Sequence, residues 1–389
     1  MELIVLAARS LGGGEMRDLF RSAAQEVSDW ELAVDVASEH HLVPILARAI
    51  SEHASDCVSP RVLEDMQRLY LANTREAGQR TEQLVGLLDT LGQAGVAALP
   101  LKGPVLALYA YGDIALRTSY DLDVIVAQTK VATAIELLRQ MGFEPKESLS
   151  RSQLRTTIRF GNELAFVTGG SRTPAELHWR IVQKPIMCRL DLDDLLSRAS
   201  TVSVLGHEVP WPSRADLAIV LCVHGAKHHW AQLELAHCLA EVLRADRFDW
   251  HQFLREARRA RCWRRCLLGV LLAGEVFGAA VPEEVLDLAR RERAIGRLCS
   301  QAVRSYTEPL CYTLPLLREM RWNMATLDGP SSRARYLVLR TFVPSAGDWA
   351  WVTLPDWAHV LYYALRPARL ALSYARRCRR SSGRRPRRP

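Results

Sequence analysis

The run TSYDLDVIV, residues 118–126, sets two aspartates, Asp121 and Asp123, among the apolar side chains of Leu122, Val124 and Val126. A strand has a side-chain period of two, so it sends both carboxylates to one face of a sheet and the apolar trio to the other. Two carboxylates at adjacent same-face positions repel each other, which costs stability unless a cation sits between them. Hard oxygen donors of this kind suit Mg²⁺, which keeps several waters and takes further ligands from substrate phosphates. A DxD pair alone decides little, because such pairs also occur on loops as solvated acids.

A second run, AELHWRIV at residues 175–182, repeats the alternation. Glu176, His178 and Arg180 share one face, while Leu177, Trp179 and Ile181 share the other. The apolar trio predicts a strand set into the sheet, with its polar trio turned to a cleft or to solvent. If this strand neighbours the first, three carboxylates converge, as a two-metal phosphoryl-transfer site requires. Upstream, ALPLKGPVLALYAYGD at residues 98–113 reads as a strand, a tight turn at Lys102 and Gly103, and a helix starting at Pro104. Glycine lets backbone amides approach a ligand and proline suits the first helical turn. A helix N-terminus beside a lysine can hold phosphate. An ordinary strand-to-helix connection fits the same residues.

Around this centre the texture changes twice. Residues 15–90 repeat apolar side chains at helical spacing, through Trp30, Leu32, Ala33 and Val36, then Leu63, Met66, Leu69, Leu84, Leu87 and Leu88. From Gly92, short β-like runs at 96–101, 122–126, 164–167 and 176–182 are separated by helices, which predicts an α/β or α+β module. After Pro212 the helical pattern returns over 217–230, 233–243, 250–260 and 263–276. Pro344, Ser345, Gly347 and Pro355 mark a loop before an aromatic helix at 357–363. The expected division is a helical segment at 1–91, a catalytic domain at 92–212, a helical domain at 213–343, an aromatic tail at 344–375 and a disordered arginine-rich end at 376–389.

The charge is unevenly placed. The chain of 389 residues carries a formal net charge of +8, but ten arginines and no Asp, Glu or Lys fall between 366 and 389, leaving −2 for residues 1–365. A body so near neutrality gives little support for a broad phosphate-tracking surface. A basic contact, with an anionic membrane or nonspecifically with nucleic acid, belongs to the tail. Trp349, Trp351, Trp357, Tyr362 and Tyr363 precede that tail and suit an anionic lipid surface. Nine cysteines form no CxxC pair, which fits reduced thiols and a cytoplasmic location, membrane-peripheral through the tail. Cys262 and Cys266, four apart, read as a shared packing face rather than a metal site. The apolar run at 3–8 is too short for a signal-peptide core, and no stretch reaches a membrane span.

The order of LKG, GDIALRTSYDLDVIV and AELHW resembles the uncharacterised nucleotidyltransferase family of the polymerase-β-like superfamily. DWELAVDVASEHHLVPIL (29–46) is similar to its N-terminal helical segment, LCVHGAKHHWAQL (221–233) to its later helical domain, and LPDWAHVLYYALRPARL (354–370) to the tail of many members. The resemblance implies an α+β fold, a mixed sheet flanked by helices, with N-terminal helices and a C-terminal helical domain. It implies Asp121 and Asp123 as metal ligands, Glu176 as the third carboxylate, two Mg²⁺ ions and an NTP substrate. A nucleoside monophosphate, AMP from ATP by preference, would pass to a hydroxyl or phosphate of a small molecule, peptide or protein.

In the same comparison Lys102 and Gly103 stand where the wider superfamily carries a Gly-Ser nucleotide-holding turn, a departure that bears on triphosphate contacts. Arg117 matches a motif arginine, expected to meet phosphate in preference to bracing the aspartates, and His178 is expected to line the nucleotide cleft. His224 and His228, at i and i+4, lack the further ligand and glutamate of a zinc site and are expected to cap or line substrate. Cys238 occupies a position where related sequences tend to carry an acid, leaving the acceptor-side base unassigned. The competing expectation is an inactive nucleotide-binding or interaction protein. Retention of three acids, costly to bury without a metal, favours catalysis.

Overall fold

Val124, Ile125 and Val126 follow one another without a polar break, and such a run settles into the middle of a sheet with both faces covered. The computed structural model describes residues 1–12, 14–169, 173–244, 248–308 and 316–382. Five strands form a mixed sheet: β1 (Ala98–Pro100), β2 (Leu122–Val126), β3 (Phe143–Pro145), β4 (Glu163–Thr168) and β5 (Ala175–His178). Their spatial order is β1-β2-β5-β4-β3. β2 is buried along its whole length. It pairs parallel with β5, while β1–β2, β4–β5 and β3–β4 are antiparallel. A separate hairpin, β6 (Ser200–Val204) and β7 (His207–Trp211), turns through Leu205 and Gly206, both at positive φ. That is the two-residue turn whose twist matches the strands. The hairpin was not foreseen from the sequence.

The 34-residue helix Pro60–Gln93 starts behind a Ser59 side-chain cap and packs on β1 and on the helix Val131–Gln140, which in turn packs on β3. Across the cleft stand the helices Arg214–Lys227 and Leu233–Arg244, both packed on the helix Trp263–Phe277. This last helix is buried almost all round, as a helix at the centre of a bundle must be. Gly269 permits the approach, since a Cβ there would lie 2.6 Å from the Cys222 sulfur. One contiguous apolar core runs from Ile4 to Trp322. Cys262 and Cys266 lie inside it; Cys311 falls outside the described residues.

Three expectations need correction. The strand expected at 176–182 stops at His178, because its antiparallel partner β4 begins only at Glu163, opposite His178. Beyond that point Arg180 leaves the cleft: its guanidinium donates to the carbonyls of Ile158 (3.0 Å) and Gly161 (2.9 Å), satisfying the end of the helix Arg151–Phe160. At the other end, the helix Tyr362–Ser382 continues into the stretch expected to stay unordered. Leu, Ala and Arg are good helix formers, so propensity carries the helix onward. The remainder of that expectation, residues 383–389, lies outside the described residues. The aromatic helix expected at 357–363 is a 3-10 turn, Asp356–Leu361, running into that final helix.

Candidate active site

The parallel pairing of β2 with β5 sets Asp123 opposite Glu176. Directly opposed residues point to the same face, and His178 follows Glu176 on that face by the period of two. Ligand atoms of Asp123, Glu176 and His178 consequently lie within 4.8 Å of one another. Asp121, just before β2, lines the same cleft. Trp179 turns into the core, as its place in the alternation predicts. The cleft has a volume of about 420 Å³ and is closed on its far side by Val220, His224, Lys227 and His228 from one helix and by Glu234 and Leu235 from the next.

Asp123 is the most enclosed of the acids, with its side chain 1% exposed. The Lys102 amino group lies 3.1 Å from its Oδ1 and His178 Nε2 lies 2.9 Å from the same oxygen. Burial acts to raise the Asp123 pKa, but these two cations outweigh it and hold the carboxyl well below its ordinary range. His178 shows the reciprocal effect. Burial disfavours its charge, yet hydrogen bonds to Asp123 and Glu176 push it up to about 9. Its Nε2 is 3.5 Å from Glu176 and its Nδ1 is 3.4 Å from Glu163, the second an ion-pair contact rather than a hydrogen bond. Among the described residues Asp121 makes no such ion pair. Burial and the neighbouring Asp123 charge push it up to about 6.

The Lys102 and Gly103 turn joins a strand to a helix, as expected. Gly103 opens the helix Gly103–Tyr111 at φ +75°, a conformation that side chains rarely adopt. Lys102, expected to stand beside a phosphate, is ion-paired with Asp123. Arg117 pairs with neither aspartate among the described residues. Its Nε donates to Glu234 at 2.6 Å and its Nη1 to Ser119 at 3.2 Å. Burial works against its charge, but Glu234 outweighs that and raises its pKa. His224 and His228 line the cleft with ring centroids 4.6 Å apart and ring planes tilted by 54°. Burial lowers the pKa of both, His224 well below its usual value and His228 to about 4, so this histidine pair favours the uncharged form. Cys238 is buried, and burial with Glu234 pushes its thiol up to about 12, which rules out a thiolate base at neutral pH.

Sequence reading missed Glu163, Lys227 and Glu234. Glu163 begins β4, one residue before the apolar run at 164–167, and Lys227 Nζ lies 3.2 Å from its Oε2. Burial would raise Glu163, but His178 and Lys227 draw its pKa down. Lys227 sits within the quoted HGAKHHW run, and Glu234 lies one helical turn before Cys238. A search for charged residues on the cleft side of those helices would have found both.

The donor set fits a hard divalent cation. The carboxylates of Asp123 and Glu176 converge within ligand-sharing distance beside His178, which would have to lose its proton to serve as a ligand, and the raised Asp121 pKa marks surplus negative charge that a cation relieves. A family model described as an uncharacterised nucleotidyltransferase matches residues 26–278. No curated protein and no solved structure matches the chain.

Proposed function

The chain belongs to the uncharacterised nucleotidyltransferase family, and from that premise we propose that it transfers a nucleoside monophosphate from an NTP, ATP by preference, to an acceptor hydroxyl or phosphate. The observation that supports this most is the register of Asp123 opposite Glu176 on parallel strands, with Asp121 in the same cleft. Asp121, Asp123 and Glu176 would hold two Mg²⁺ ions. Bound Mg²⁺ supplies positive charge that activates the acceptor oxygen and stabilises the leaving pyrophosphate.

The acceptor oxygen forms a bond to the α-phosphorus, the bond from that phosphorus to the bridging oxygen breaks, and pyrophosphate leaves with the electron pair. Glu176 is 29% exposed against 1% for Asp123, which supports assigning it the acceptor side of the site, where its carboxylate would receive the acceptor's proton. Lys102 and Lys227 supply cationic donors for phosphate oxygens, each exchanging a carboxylate partner for the nucleotide. Arg117 acts at one remove, holding Glu234 and Ser119 in place along the wall.

The test is label transfer. Each NTP, labelled in its α-phosphate, is incubated with the protein and fractionated cell lysate, with Mg²⁺ or with EDTA, and pyrophosphate release is followed in parallel. The reading requires Mg²⁺-dependent release that Asp123→Asn abolishes. Nucleotide binding without release would favour a non-catalytic nucleotide-binding protein, the reading to which the Lys102–Asp123 ion pair lends weight.

A further inference from the structure

The C-terminal segment turns apolar side chains outward next to a strongly basic stretch. Residues 357–389 contain no Asp or Glu, and eight arginines lie between 376 and 388. The 3-10 turn Asp356–Leu361 has three residues per turn, so Trp357 and Val360 stack along one edge with Leu361 beside them. Trp357 is 86% exposed, Val360 70% and Leu361 50%.

The opposite edge of the turn is clamped. Ala358 and Tyr362 are buried. The Asp356 carboxylate accepts from the Ser150 hydroxyl and from the Ser152 N–H at 3.4 Å. His359 Nε2 and Thr156 Oγ1 are 2.8 Å apart. The Tyr362 hydroxyl donates to the Val352 carbonyl at 2.7 Å and accepts from the Leu354 N–H at 2.9 Å. With these contacts made, the three outer side chains cannot rotate inward without breaking the turn. A ridge of large apolar residues on a fixed backbone is the mark of an interaction surface.

We propose that this ridge and the arginine-rich end together dock the protein on an anionic lipid surface. Trp357, Val360 and Leu361 enter the boundary between headgroups and acyl chains, and the arginines pair with lipid phosphates. Arg366 and Arg369 are engaged by Asp348, so the charge supply is the run from Arg376 onward. Among the described residues no helix is long and apolar enough to cross a membrane, so the attachment is peripheral. Charge complementarity alone would serve nucleic acid as well. The ridge favours lipid, because a phosphodiester backbone offers three adjacent apolar side chains nothing to enter.

The full chain is tested by co-sedimentation with phosphatidylcholine vesicles and with vesicles carrying about 30% phosphatidylglycerol. The parent should partition to the anionic vesicles at least about tenfold more strongly than to neutral ones, and less so at high salt. Combined Trp357→Ala, Val360→Ser and Leu361→Ser should lower that partitioning about tenfold with an unchanged circular-dichroism spectrum. Arg376, Arg377, Arg379 and Arg380→Gln should lower it comparably and flatten the salt dependence. Trp357 should account for a blue shift in tryptophan emission on anionic vesicles that Trp357→Phe loses. Undiminished binding by the ridge variant overturns the proposal. So does tighter binding of the parent to a short nucleic-acid duplex than to vesicles at equal salt, unaffected by the ridge substitutions.

Discussion

Replacing Asp121 by asparagine removes one negative charge from a cleft lined by five carboxylates, three permanent cations and His178. In the folded protein Asp121 is raised from 3.8 to about 6. Between those pH values the native state binds more protons than the unfolded chain, so stability falls as pH rises from about 4 to about 6, and the deficit is complete above that. A rise of about two units corresponds to about 3 kcal/mol. Asp121 and Asp123 titrate as a pair, so one substitution releases only part of this, about 1–2 kcal/mol. In EDTA at about pH 8, Asp121→Asn should therefore raise Tm by about 1–4 °C, and the gain should vanish below about pH 4. Added Mg²⁺ should raise the Tm of the parent far more than that of the variant, because the cation relieves the repulsion that asparagine has already removed. Scanning calorimetry across pH, with and without Mg²⁺, reads both effects. A lower Tm for the variant in EDTA, or an equal Mg²⁺-induced rise in the two proteins, would refute the reasoning.

Glu176→Gln should lower nucleotide transfer by about two orders of magnitude while leaving NTP affinity within about threefold, measured by label transfer and equilibrium dialysis; a normal rate would remove Glu176 from the metal site. Arg117→Ala should destabilise the fold by about 3–5 kcal/mol in urea unfolding, because it strands a buried Glu234 carboxylate, and adding Glu234→Gln should restore much of the loss. A role for Arg117 confined to phosphate contact predicts no stability change. In EDTA, the His178 contribution should be fully present below its unfolded pKa of about 6.5 and lost as pH rises through its folded value of about 9. The loss should be about 1–3 kcal/mol, counted once for the His178–Asp123 pair, and His178→Gln should flatten that limb of the stability curve.

What the sequence determined by itself was local. Period-two alternation put Asp121 and Asp123 on one face of their own run and Glu176 with His178 on one face of theirs, glycine at 103 announced a backbone that side chains avoid, and helical spacing marked the flanking helices. Each signal depends on residues within a few positions of one another, which is the range over which backbone geometry dictates side-chain direction. Tertiary structure decided which strands meet. Asp123 and Glu176 are 53 positions apart, and only the parallel register makes them neighbours. It decided where β5 ends, because a strand persists only as far as its partner, and so sent Arg180 to a helix terminus. It also brought Glu163, Lys227 and Glu234 to the cleft and gave Lys102 and Arg117 carboxylate partners. Buried cations take the nearest anion the fold delivers, since an unpaired charge in the interior is too costly to keep. That anion is set by contacts far apart in the chain, which no local pattern encodes.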